Sequence, residues 1–195
     1  MRFFYTVICL VFISNPSLAA SNPDLKRELE QMVRVDQEIR SKIGELGWHN
    51  PPKDLLERMN RIDSENTRKL KQIIDRHAWP TRQLVGSSGV SAAFLVIQHS
   101  PDYEFKAKML PTLKQSYLRG EGIEGQDIAL LTDRILIHRG EKQLYGTQLN
   151  ILDGIIEVKP LLEPENVDKR RAELGMPALE EYKKLVSKAY GMAVK

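Results

Sequence analysis

A chain of 195 residues, 42% hydrophobic and 28% charged, has the size of about one domain and the composition of a globular protein. Its formal net charge is only +3, with bases and acids interleaved throughout, which excludes the concentrated basic footprint of a nucleic-acid-binding protein. Beyond the first twenty residues no stretch approaches the ~18 apolar residues of a membrane span.

The start of the chain reads as a secretory signal peptide over residues 1–19. Arg2 supplies the positive start, Phe3–Ile13 an uninterrupted apolar core, and Ser17-Leu18-Ala19 the small residues of a cleavage site, with cleavage expected after Ala19. An uncleaved anchor is the alternative, and the shortness of the apolar core speaks against it. Cleavage removes Arg2, leaving 28 Lys and Arg against 26 Asp and Glu, a net charge of +2. It also removes Cys9, the single cysteine. The mature chain, residues 20–195, is therefore expected to be periplasmic or secreted, without disulfides or thiol chemistry.

A long helical hairpin is predicted over residues 24–78. Leu25, Leu29, Met32, Ile39, Ile43 and Leu46 form one apolar seam, and Leu56, Met59, Ile62, Leu70 and Ile73 a second. A turn at Trp48–Pro52 makes the two helices antiparallel neighbours. Each seam has a polar interruption, Asp36 in the first and Asp63 with Asn66 in the second. At 1.5 Å per residue Asp36 and Asp63 both lie ~15 Å from the turn, hence at one level of the hairpin. The alternative is that both sit at the seam edge and pair with Arg40 or other bases.

The core is assigned to residues 79–195. Trp79, extended by Pro80, is expected to plug it. Ser87 or Ser88 is placed as the N-cap of Val90–His99, a run apolar on every side and so the central helix of a mainly α bundle. That helix ends on Gln98 and His99. Helices follow at about 100–119, with Pro111 inside, and at 126–138, where Asp133 and Arg134 interrupt an apolar surface and Arg134 shares a face with His138. A C-terminal β-hairpin is expected at about 144–161, strands Leu144–Leu152 and Ile155–Leu161 turning at Asp153-Gly154. Two short helices, 165–174 and 177–190, finish the chain.

HAWPT (77–81), VG (85–86), QH (98–99), DR (133–134), QLYGTQ (143–148) and VDKRR (167–171) stand in this order. The pattern resembles an uncharacterised bacterial domain-of-unknown-function family with GWPT, QH, DR and QxYGTQ signatures, over residues 60–182. The resemblance implies a fold and no activity. Ala78 stands where the family pattern has glycine.

The polar residues of these blocks form the candidate site. His99, Asp133 and His138 are the candidates for proton transfer, imidazole being the side chain that changes charge nearest neutrality. Gln98, Arg134, Gln143, Tyr145, Gln148 and Arg171 are the candidates for substrate binding, the arginines for an anionic group and the amides for a developing oxyanion. No G-x-S-x-G elbow and no paired metal-ligand spacing is present, so no metal and no cofactor are expected. Three readings stay open. One is a metal-independent hydrolase or lyase; the second is a periplasmic ligand- or protein-binding module without catalysis. The third is a satisfied network of Asp133, Arg134 and Gln148 that fixes the hairpin. The expected partner is a small molecule or an envelope component, with no nucleic acid and no stable membrane insertion.

Overall fold

Asn22-Pro23 opens the first helix, α1 (Pro23–Leu46), with the Asn22 side chain accepting from the Leu25 amide at 3.0 Å. The computed structural model describes residues 21–46, 51–152 and 155–194, so the expected signal peptide, most of the expected Trp48–Pro52 turn and the expected Asp153-Gly154 turn lie outside the described residues. The seam residues Leu25, Leu29, Met32, Ile39 and Ile43 are buried, and Asp36 is buried among them. In α2 (Lys53–His77) the buried face is Asp63, Asn66, Thr67, Leu70 and Ile73. Asn66 spans the pair by donating to the Met32 carbonyl at 3.1 Å. The two polar interruptions do coincide.

Helix α2 stops at Ala78, which adopts φ 59°, ψ −162°, a region that essentially only glycine occupies without strain. The position where the resemblance expects glycine is thus one whose backbone asks for it. Trp79 is buried and donates its indole N–H to Ser116 Oγ at 3.2 Å.

The central helix, α3 (Arg82–His99), begins earlier than its apolar run. Thr81 accepts from the Leu84 amide as N-cap, and Gly86 breaks the helix with φ 70°, ψ 172°. The exposed Ser87 and Ser88 open the segment after this break, with the non-helical Gly86 ahead of them in the cap position. From Gly89 to Gln98 the helix is buried almost all round, because it touches α1, α2, α4 and α5. Asp102 caps α4 (Tyr103–Leu118), accepting from Phe105 N at 2.8 Å, and Glu124 with Asp127 forms a capping box for α5 (Gly125–His138).

The hairpin is shorter than its sequence suggests. Strands β1 (Leu149–Leu152) and β2 (Ile155–Val158) pair antiparallel with Leu149 opposite Val158, and a third strand, β3 (Ala193–Val194), adds parallel to β2. Residues 144–148 are not strand: side chains from α5 and the loop itself take up their amides. Helices α6 (Val167–Glu173) and α7 (Leu179–Tyr190) close the chain. The chain is mainly helical, a bundle around α3. Among the described residues no helix is long and apolar enough to cross a membrane.

Candidate functional site

His99 is the last residue of α3, and the helix delivers its imidazole to the polar level of the α1–α2 hairpin. Nδ1 lies 3.0 and 2.9 Å from the two carboxylate oxygens of Asp36. Arg40, one turn beyond Asp36 on α1, donates Nε to Asp36 at 2.9 Å and Nη2 to both oxygens of Asp63 at 2.7 and 2.8 Å. Its Nη1 meets the Met59 sulfur at 3.0 Å. Asp36 is 3% and Asp63 9% exposed, so both carboxylates are buried and both share one guanidinium.

The tautomer of His99 follows from this arrangement. The one Nε hydrogen of Arg40 is shared, reaching Asp36 at 2.9 Å and His99 Nδ1 at 3.1 Å. Two carboxylate oxygens at Nδ1 favour the tautomer that carries its hydrogen there and donates to Asp36, and that tautomer leaves Nε2 as the basic nitrogen. Burial works to raise the Asp36 carboxyl; the hydrogen bond and charge of His99 and the charge of Arg40 overcome it and hold it at about 2 against the ordinary 3.8. Asp63 goes the other way. Burial raises it above the usual range although Arg40 opposes, and the neighbouring Asp36 adds to the rise.

A second group of side chains comes from α4 and α5. Tyr103 stacks on His138, ring centroids 3.4 Å apart and planes 8° from parallel. Lys106, 2% exposed, holds its ammonium 4.3 Å from the Tyr103 ring centroid and forms no ion pair among the described residues. Burial first, then the nearby charge of Arg134, pull the Lys106 ammonium down to about 8, while Asp63 pulls it up. Arg134 is shifted down by burial and by Arg40, and its buried Nε has no hydrogen-bond partner. His99 ends α3 and Tyr103 and Lys106 open α4, and the mid-hairpin charges of Asp63 and Arg40 act on Lys106 and Arg134, so the two groups form one neighbourhood.

The remaining sequence candidates are placed differently. Asp133 does not orient His99. Fully buried, it accepts from the amides of Leu144 (2.8 Å), Tyr145 (3.1 Å) and Thr147 (3.0 Å) and from Thr147 Oγ1 (2.9 Å). Gln143 donates to the carbonyls of Gln148 and Lys159 and accepts from Gln148 N. The Gln148 amide turns to Thr147 Oγ1 at 3.2 Å and the Leu130 carbonyl at 3.5 Å. Tyr145 gives its main-chain carbonyl to Arg171 Nη1, and Arg171 Nε donates to Pro177 O, both at 2.6 Å. Gln98 is buried with its Oε1 unpartnered. Thus Asp133, Gln143, Tyr145, Gln148 and Arg171 knit the 143–148 loop to α5, α6 and the Pro177 turn, whereas His99, Arg134 and His138 stand in the polar neighbourhood above.

Lys106 and Tyr103 escaped the sequence reading, and Asp36, Arg40 and Asp63 were noted as seam features without being joined to His99. A signal for Lys106 existed: it is three residues before Met109 and seven before Leu113, on the apolar face of α4.

Asp36, Asp63 and His99 bring three potential ligand atoms within 4.8 Å of one another. Arg40, however, lies between the carboxylates and donates to both. A divalent cation there would meet a fixed positive charge and have to displace it. The donor set fits a salt-bridged acid–base pair better than a metal centre.

Comparison with curated proteins and with solved structures finds no match. A family model does match, over residues 23–195, which takes in the whole described hairpin, the central helix and the C-terminal loop network. The chain belongs to the DUF6624 family, a family of unknown function.

Proposed function

We propose that the protein is an exported acid–base enzyme, a metal-independent hydrolase or lyase acting on a small molecule or envelope component, with His99 as the proton-transferring group. The observation that carries this reading is the Asp36–His99 pair. A carboxylate bound to Nδ1 through both oxygens fixes the imidazole ring and its tautomer and stabilises the imidazolium formed when Nε2 takes a proton. Arg40 keeps Asp36 ionised and in place, so it is a positioning residue. In a hydrolysis Nε2 would take a proton from water as the oxygen adds to an electrophilic carbon or phosphorus, then return it to the leaving group. In an elimination it would take a proton from carbon and return it to the departing group.

A binding module without catalysis is the second reading. It is favoured by the buried Lys106 side chain and by the buried, unpartnered Nε of Arg134, two cations that suit recognition as well as chemistry.

The test is turnover by the purified protein on a panel of envelope-derived esters, amides, phosphoesters and hydroxy acids, with product identified by mass spectrometry. His99→Gln should abolish turnover with melting little changed, and Asp36→Asn should lower kcat more than KM. Tight binding of a panel member that is never converted would favour the module. A large fall in melting for His99→Gln, with turnover per folded molecule unaltered, would overturn the catalytic role.

A further inference from the structure

We infer that Lys106 and Arg134, joined through the Tyr103–His138 stack, form a subsite for an oxyanion, so that the ligand of this site carries a carboxylate or phosphate group. The inference rests on the site proposed above and adds the ligand's chemical class.

The geometry forms a continuous path. The Lys106 ammonium lies 4.3 Å from the Tyr103 ring, Tyr103 stacks at 3.4 Å on His138, and His138 follows Arg134 by one helical turn on α5. The charges of the neighbourhood do not balance. Arg40, Lys106 and Arg134 are three cations, and Asp36 and Asp63 two carboxylates, both already engaged by Arg40. Asp133, the acid nearest in sequence to Arg134, spends its oxygens on loop amides and a hydroxyl.

One positive charge is therefore in excess, and the Lys106 side chain and the Arg134 Nε are the parts of it withdrawn from water. Charge buried without a counter-ion is costly. The cation–π contact offsets part of the cost for Lys106, and nothing offsets it for the Arg134 Nε, which is buried with no partner. An oxyanion would satisfy both: Arg134 with N–H donors in a fixed fork, Lys106 with a point charge. Tyr103 and Lys106 open the helix that follows His99, so such a subsite would hold a substrate by its anionic end while the imidazole works on another part of it.

The experiment is titration of the purified protein with inorganic phosphate and, separately, acetate, at constant ionic strength with chloride as the compensating ion, read by melting temperature and calorimetry. One of the two should bind saturably and displace chloride, which also tells a phosphate ligand from a carboxylate. Lys106→Met and Arg134→Met should each weaken that binding about tenfold or more, as expected for the loss of a charge-assisted hydrogen bond. Exposed Arg61→Met should leave it unchanged. If a methionine variant fails to fold, Arg134→Lys serves instead, keeping the charge and losing the fork, with weakened binding again expected. His99→Gln should keep the anion and lose turnover, so a failure of catalysis can be told from a failure of the subsite. Absence of saturable binding of either anion, or wild-type binding by the folded Lys106 and Arg134 variants, overturns the inference.

Discussion

Arg40→Met tests the centre of the polar neighbourhood most directly, because methionine keeps much of the side-chain volume and removes only the guanidinium. That group supplies the bond to Asp36 at 2.9 Å and the two to Asp63 at 2.7 and 2.8 Å. Without it two carboxylates, 3% and 9% exposed, face each other with no cation in contact except a protonated His99. Removing one partner of a buried ion pair costs about 3–5 kcal/mol. That is a large part of the roughly 5–15 kcal/mol that holds a domain folded. At ~2–4 °C per kcal/mol for a chain of this size, the melting temperature should fall by roughly 6–20 °C. The acid side gives an independent check. Asp36 is held at about 2 against 3.8, so its ionised form contributes roughly 2 kcal/mol, at about 1.4 kcal/mol per tenfold change in proton affinity. Because the folded-state value is the lower one, this contribution is complete above 3.8 and is lost as pH falls from there to about 2. The wild type should therefore lose stability across that window more steeply than the variant. Adding Asp63→Asn to Arg40→Met should recover part of the loss, because burial already disfavours the charge on Asp63. Melts followed by circular dichroism and urea titrations at neutral pH would measure the cost. A loss under about 1 kcal/mol, typical of an exposed pair, would refute the reasoning.

Further substitutions probe the fold that holds this neighbourhood. Ala78→Gly should raise stability by about 1 kcal/mol, read as a higher melting temperature, since it relieves the backbone at φ 59°, ψ −162°. Asp133→Asn should cost roughly 2–4 kcal/mol by urea unfolding, because the new amide turns a donor toward amide donors that Asp133 now accepts; hydrogen exchange at Leu144 and Thr147 should speed up. Gly125→Ala should cost about 1–3 kcal/mol in the same assay, since its Cβ would overlap the Leu174 carbonyl oxygen and the α5–α6 approach would have to open. Tyr103→Leu, which removes the stack on His138, should cost about 0.5–1.5 kcal/mol beyond the lost burial.

Periodicity carried the helical part of the fold well. The seams of α1 and α2 and a count of residues from the turn were enough to put Asp36 and Asp63 at one level, because a helix has a fixed rise. The two readings of those acids, level with each other or paired with Arg40, are both realised: one guanidinium reaches from one seam to the other. What pattern could not show was the third dimension. Asp36 and His99 are 63 positions apart, and their contact depends on how far α3 runs past α1, which no local rule fixes. The serines and glycines at 86–89 mark the start of the apolar segment to within a residue or two of the break at Gly86; the short earlier turn that Thr81 caps is what the pattern leaves out. The first strand was drawn too long for a related reason. Leu144–Gln148 has strand-like residues, but Asp133 and Gln143 offer its amides side-chain acceptors, and a backbone satisfied that way has no need of a ladder.

The adjacent pair Asp133-Arg134 joins these two systems. Neighbouring residues on a helix point about 100° apart, so they cannot serve the same surface. Asp133 faces the C-terminal loop and accepts there from the amides of Leu144, Tyr145 and Thr147 and from the Thr147 hydroxyl. Arg134 is turned toward the side where Lys106 and Arg40 influence it, and there its Nε has nothing to bind. A fully satisfied buried acid accounts for itself through the structure it holds. A base whose Nε is buried and unmet does not, and neither does the buried Lys106. Asp133 ties α5 to the loop, and the same helix carries Arg134. Disturbing Asp133 should therefore weaken anion binding through position, without removing any group that touches the anion.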